Sequence, residues 1–182
     1  MQIKRHDRRK IIFLDIDGVL NSSDTMERAP EGNTGVDGRL LNELHFLVSQ
    51  TNAEIVLSSD WRYGYDRENG DHGPDMRYLI ERLSGYKCYI SDVTVAVTER
   101  IKHPPENRGE EIRYWLKKNR IRRSDRWIVL DDHYITDVPG CQVSKHLIVT
   151  QSPGTEEFHG QKLPKKGLTH EMAERVAEML NS

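Results

Sequence analysis

Cysteine is scarce: the 182 residues include two, Cys88 and Cys141. Two thiols without paired spacing form neither a disulfide scaffold nor a zinc site, and they fit a reducing, cytoplasmic compartment. Long apolar runs are missing as well. The longest, Ile11–Leu14 and Trp127–Leu130, hold four residues or so, against about 20 for a membrane-spanning helix. The opening MQIKRHDRRK is basic but leads straight into apolar Ile11, so no secretory leader is expected. Neither sign of charge dominates: 27 Lys and Arg against 29 Asp and Glu leave a formal net charge of −2, which argues against strong nonspecific affinity for nucleic acid. Internal repeats and low-complexity tracts are absent too. A chain of this length makes about one compact domain, taken here as residues 1–182, with a basic segment over 1–10 and a loop over 151–167 before a final helix.

What is present is alternation. Four short β-rich runs, Ile11–Leu14, Ile55–Leu57, Trp127–Leu130 and Leu147–Val149, are apolar without a break, the pattern of strands buried on both faces. Val93–Val97 is a weaker fifth strand. Between the runs, Leu40, Leu44, Leu47 and Val48 share one helical face, as do Met76, Leu79, Ile80 and Leu83, then Ile112, Trp115 and Leu116, and last Met172, Val176, Met179 and Leu180. Strand–helix alternation of this kind predicts an α/β fold, a Rossmann-like, doubly wound open parallel sheet with helices on both faces.

The acidic residues fall at strand ends. Asp15 and Asp17 follow the first run, Ser58 and Ser59 the second, and Asp131 and Asp132 the third. In open α/β sheets, ligands bind outside that carboxyl edge. Three or four carboxylates gathered there repel one another unless a cation neutralises them. An all-oxygen donor set without a required thiolate or imidazole favours Mg2+. Two-residue spacing puts Asp15 and Asp17 on one side of an extended chain, and Gly18 allows the backbone to turn directly after them. One carboxylate is then placed to attack and the other to handle protons, the combination that slow phosphate monoester hydrolysis needs.

Four segments, Asp15-Ile16-Asp17-Gly18-Val19-Leu20, Ile55 to Arg62 with its Ser58-Ser59-Asp60-Trp61-Arg62, Arg108-Gly109-Glu110-Glu111-Ile112 and Ile128 to Asp132, resemble the four ordered motifs of the haloacid dehalogenase-like (HAD) phosphatase superfamily. They are closest to a small capless branch that includes domains of RNA-repair proteins and is related to polynucleotide 3′-phosphatases. The resemblance implies that Asp15 forms an aspartyl-phosphate, that Asp17 acts as acid and then base, and that Ser58 hydrogen-bonds the phosphoryl group with help from the Ser59 N–H. It implies Mg2+ held by Asp15, the Asp17 carbonyl and Asp131, with Asp132 a ligand or a support. Arg108 stands where the superfamily usually has lysine, and Lys102 is the alternative.

Thirty-four residues separate Leu20 from Ile55 and 45 separate Arg62 from Arg108, which leaves no room for a large cap domain. An uncovered site favours a phosphate on a nucleic-acid 3′ end, RNA or DNA, or on a nucleotide. Arg62, Arg67, Arg100, Lys102 and His103 are the candidate phosphate contacts, and Trp61 or Tyr63 the candidate base-stacking ring. Plainer roles compete: a strand-ending hydroxyl for Ser58, a turn cap for Asp132, core packing for Trp61 and Trp115, an ion pair with Asp60 or Asp66 for Arg62, and a loop position for His133. The basic stretch Arg113–Arg126 leads into a strand and so belongs to the opposite, amino edge. Two other functions remain in play, a receiver-like module that is phosphorylated without turnover and a scaffold that binds RNA or a partner through that basic stretch.

Overall fold

The computed structural model describes residues 8–95, 101–102, 104–150 and 167–182. Strands β1 (Lys10–Leu14), β2 (Glu54–Leu57), β3 (Ile90–Val93), β4 (Arg126–Asp131) and β5 (Leu147–Val149) form one parallel sheet in the order β3-β2-β1-β4-β5. The order reverses between β1 and β4, so the crevice between their carboxyl ends is the topological switch point of a doubly wound sheet. Helices α1 (Gly38–Thr51), α2 (Pro74–Gly85), α3 (Arg108–Lys118) and α4 (His170–Asn181) cover the two faces.

Strand β1 shows why its run lacks polar residues. Ile12 and Leu14 face one core with Leu41, Leu44 and Leu47 of α1, Met76 and Leu79 of α2 and Val176 and Leu180 of α4. Ile11 and Phe13 face the other, smaller core with Ile112 and Trp115 of α3. With period-two alternation and both faces covered, every position must be apolar. Phe13 meets Trp115 edge to face at 5.3 Å, so Trp115 is core, and truncating either ring costs about 3–5 kcal/mol.

The fifth strand lies earlier than Val93–Val97. It ends at Val93, and 96–97 fall outside the described residues. Its sequence, ISDV, escapes an apolar-run criterion because an edge strand pairs on one side only and keeps Ser91 exposed and Asp92 half-buried. The segment between β1 and α1 carries one antiparallel bridge, Arg28 to Thr34, and is pinned to α2 where Asp75 accepts from the Glu31 N–H at 2.8 Å and from Asn33 Nδ2 at 2.6 Å. This is a small loop rather than a cap domain. Among the described residues, no helix is long and apolar enough to cross a membrane.

Candidate active site

The sheet ladder runs one residue past the strands. The Asp15 N–H donates to the Leu130 carbonyl at 2.9 Å, Ser58 to Leu14 at 2.8 Å and Thr150 to Asp131 at 3.0 Å. Asp15, Ser58 and Asp131 therefore start one layer at the carboxyl edge, above a crevice of about 730 Å³. Its lining includes Asp15, Asp17, Ser59, Arg108, Asp131 and Asp132.

At its floor, one nitrogen of Arg108 bridges two carboxylates: Nη1 lies 3.1 Å from Asp15 Oδ1 and 2.7 Å from Asp131 Oδ2. Asp15 is 6 % exposed. Burial, seconded by the negative charge of Asp131, raises its carboxyl from the ordinary 3.8 to about 6, against the pull of Arg108, the Ser59 hydroxyl and the Ile16 N–H. Burial opposes charge on Arg108 too, yet Asp15, Asp131 and Asp60 together raise its pKa, so the guanidinium stays protonated.

Arg108 is aimed by its helix. Asn107 caps α3 by accepting from the Glu110 N–H at 3.0 Å, while Glu110 Oε2 accepts from the N–H of Glu106, the residue before the cap. Gly109 follows because a Cβ there would sit 2.8 Å from the Thr136 carbonyl, so only glycine lets the first turn of α3 press against the loop after β4. Lys102 is exposed and does not line the crevice, which among the described residues leaves Arg108 as the Lys or Arg on the carboxylates.

Asp17 occupies the open side. Its Oδ1 accepts from Asn21 Nδ2 at 2.8 Å and its Oδ2 from Trp61 Nε1 at 3.1 Å. Trp61 thus packs against the core and holds a carboxylate at once, leaving it poorly placed as a base-stacking platform. Asn21 went unnoticed in the sequence, although its side chain also accepts from the Gly18 N–H at 2.9 Å and so closes the turn behind Asp17. Gly18 has φ +74°, and a Cβ on it would meet the Asp132 side chain at 2.5 Å. Both the left-handed backbone and the close approach demand glycine.

The serine assignment changes. Ser59, not Ser58, lines the crevice and gives its hydroxyl to Asp15. Ser58 is fully buried, with no partner for its Oγ among the described residues. Strand alternation explains the difference: consecutive side chains of an extended chain point to opposite sides, and one residue of register decides which faces the crevice.

Arg62 also moves. It is 4 % exposed, donates to Glu111 Oε1 at 2.6 Å, to Asp60 Oδ1 at 3.0 Å and to the Ser59 carbonyl at 2.9 Å, and supports the site from behind instead of entering it. Arg67 pairs with Asp92. Arg100 and His103 lie outside the described residues. Tyr63 is exposed under the Arg62 guanidinium at 4.5 Å. The exposed aromatic ring on the rim is Tyr134, 72 % exposed, which no sequence pattern singled out.

Asp131 accepts from the His133 N–H at 2.8 Å, and Asp132 Oδ1 lies 2.5 Å from His133 Nδ1. Donor atoms of Asp131, Asp132 and His133 all fall within 4.8 Å of one another. With Asp15 beside Asp131, the carboxylate oxygens make a set suited to a hard divalent cation, and His133 adds a nitrogen at the exposed side.

No curated protein and no solved structure matches the chain. Residues 11–155, which run from β1 past the end of β5 and take in every crevice residue named above, match the family described as the HAD domain in Swiss Army Knife RNA repair proteins. With four fifths of the sequence matched and a sheet whose switch point carries the acidic crevice, the chain belongs to that HAD family.

Proposed function

We propose that this protein is a Mg2+-dependent phosphomonoesterase that works through an aspartyl-phosphate and acts on the 3′-phosphate of a nucleic acid, RNA or DNA, or of a nucleotide. The observation that carries the reading is the Asp15–Arg108–Asp131 arrangement: a buried carboxylate at the end of the central strand, beside a second carboxylate and under one guanidinium.

Asp15 supplies the nucleophilic oxygen. It bonds to phosphorus as the bond from phosphorus to the ester oxygen breaks, and Asp17 gives that oxygen a proton. Asn21 and Trp61 hold Asp17, which lines the crevice, by one hydrogen bond on each oxygen. Water then attacks the aspartyl-phosphate and gives a proton to Asp17 as the bond from phosphorus to the Asp15 oxygen breaks, which restores both carboxyl groups and releases phosphate. Arg108, charged throughout, faces the equatorial oxygens of the transferring group, and the Ser59 hydroxyl turns from Asp15 to donate to them. Asp15, Asp131 and Asp132, with the Asp17 carbonyl, are the residues that would hold Mg2+, and the all-oxygen character of this set is what fits that ion. A bound cation neutralises phosphoryl charge and lets two anions, carboxylate and phosphate, approach.

Two observations support the substrate class. No cap covers the crevice among the described residues, so a phosphate on a long polymer can enter it. Tyr134 offers a face to a terminal base at the rim. The family description, which speaks of RNA repair, points the same way.

The test is turnover of a generic phosphate monoester, then of a 3′-phosphorylated oligonucleotide, with and without Mg2+, for the parent and for Asp15→Asn. The variant is expected to lose on the order of 10³-fold or more, and equal turnover would overturn the reading. A phospho-adduct that persists for hours in the parent would favour the receiver-like alternative instead.

A further inference from the structure

Strands β4 and β5 are entered by two loops at the amino edge, opposite the crevice. Along β4, Trp127 and Asp131 are four residues apart, about 13 Å in an extended chain. The two loops enclose a second depression of about 620 Å³. Arg122 and Arg123 rise on one side and Lys145 on the other, all three exposed. Between them the Trp127 indole lies flat on the His146 imidazole, centroids 3.7 Å apart and planes 17° from parallel. His146 Nδ1 sits 3.0 Å from the Trp127 carbonyl, so this nitrogen donates and the ring is fixed in place.

Most arginines of the described residues are paired with a carboxylate; Arg8, Arg28 and Arg175 are scattered exceptions, and the remaining exceptions are clustered. Arg9, Arg39, Arg62, Arg67, Arg77, Arg82, Arg108 and Arg113 each face a carboxylate. Arg120, Arg122, Arg123 and Arg126, crowded into seven residues, face none of the described carboxylates, and neither does Lys145. Asp125, the acidic residue in their midst, has both oxygens taken by backbone N–H groups, those of Arg9 at 3.1 Å and Arg122 at 2.7 Å. A cluster of four arginines and Lys145 with one carboxylate, Asp125, in its midst keeps an excess of positive charge around an aromatic wall, which is complementary to a polyanion that carries flat rings.

The geometry points to a second, non-catalytic site here, one that binds single-stranded nucleic acid with its phosphates on Arg122, Arg123 and Lys145 and a base against the Trp127–His146 wall. An acidic peptide would satisfy the cations but leave the aromatic wall without a ring partner; stacking on such a wall is worth about 1–3 kcal/mol per base. The site needs nothing from Asp15, so its existence does not depend on the reaction proposed above.

The experiment is fluorescence anisotropy with a labelled single-stranded oligoadenylate ending in a 3′-hydroxyl, which presents no terminal phosphate to the crevice. The full chain is compared with Arg122→Glu/Arg123→Glu and with a charge-matched control, Lys87→Glu/Arg175→Glu, on exposed positions elsewhere. The pocket variant is expected to bind at least about tenfold more weakly and to lose roughly one unit of the slope of log affinity against log salt. The control is expected to stay near the parent, and both variants are expected to keep the parent's turnover of a small phosphate monoester. Equal losses in the two variants, or no binding by the parent at low salt, would overturn the proposal. Displacement by polyglutamate as effective as by unlabelled oligoadenylate would overturn it too, by showing a site for acidic chains in general.

Discussion

The two edges of the sheet use arginine in opposite ways. At the carboxyl edge Arg62 and Arg108 are largely buried and each is held by carboxylates, with the Ser59 carbonyl and the Tyr63 hydroxyl completing the set around Arg62. Around the entry to β4, Arg122 and Arg123 stand in solvent without a counter-charge among the described residues. Charge held by short, desolvated contacts fixes geometry to fractions of an ångström and can stabilise a transition state. Exposed charge acts over a screening length of about 8 Å at physiological salt, and confers attraction without position. A single residue type is therefore fitted to fixing geometry at one edge and to attracting charge at the other, and exposure decides which.

That contrast can be broken first at Arg62. Its side chain is 5 % exposed and that of Glu111 13 %, so Arg62→Ala strands a buried carboxylate and is expected to cost about 4 kcal/mol in chemical denaturation. The double variant Arg62→Met/Glu111→Met is expected to recover most of it, whereas Arg122→Ala is expected to lie within about 0.5 kcal/mol of the parent. An Arg62→Ala protein as stable as the parent would erase the distinction between the edges.

Next in size is Gly18→Ala. Left-handed strain and the collision with Asp132 are expected to cost about 3 kcal/mol together, seen as a melting temperature lower by roughly 6–12 °C.

A smaller effect with the opposite sign sharpens the comparison. Because the Asp15 carboxyl is raised to about 6 from an ordinary 3.8, ionising it destabilises the folded protein. The folded state holds this proton more tightly than the unfolded chain, so the associated stability is complete below about 3.8 and is lost as pH climbs to about 6. Asp15→Asn is therefore expected to be more stable than the metal-free parent by about 2 kcal/mol at pH 7, with the gap closing toward pH 4. Added Mg2+ is expected to raise the melting temperature of the parent more than that of the variant. An Asn variant that melts below the metal-free parent at pH 7 would contradict the strain assigned to this carboxylate.

Most of this architecture was legible in the sequence because it rests on short-range regularities. Unbroken apolar runs mark strands covered on both faces, and the residue after each run must sit at the carboxyl edge; hence Asp15 and Asp131 were readable as neighbours. Legibility failed where one residue of parity or a distant partner decided. Ser58 and Ser59 are the same amino acid in consecutive positions, yet Ser59 lines the crevice and Ser58 keeps its Oγ buried. Nothing near Arg62 in sequence announces Glu111, 49 positions on, and nothing near Trp61 announces that its indole N–H meets Asp17. Strand β3 was displaced because an edge strand tolerates the Ser91-Asp92 pair that a run criterion rejects.

One pair of contacts reaches further than its size. The Thr150 hydroxyl donates to the Gly18 carbonyl at 2.7 Å, and the Leu168 N–H donates to the adjacent Val19 carbonyl at 2.9 Å. Two points 18 positions apart in the chain thus land on neighbouring links of the turn that follows Asp17. A circularly rewired or shortened protein can exploit this: a few glycines joining Thr150 to Gly167 would span the gap, whereas cutting the chain after Thr150 would strip the turn of one of its two moorings and α1 of the helix packed against it.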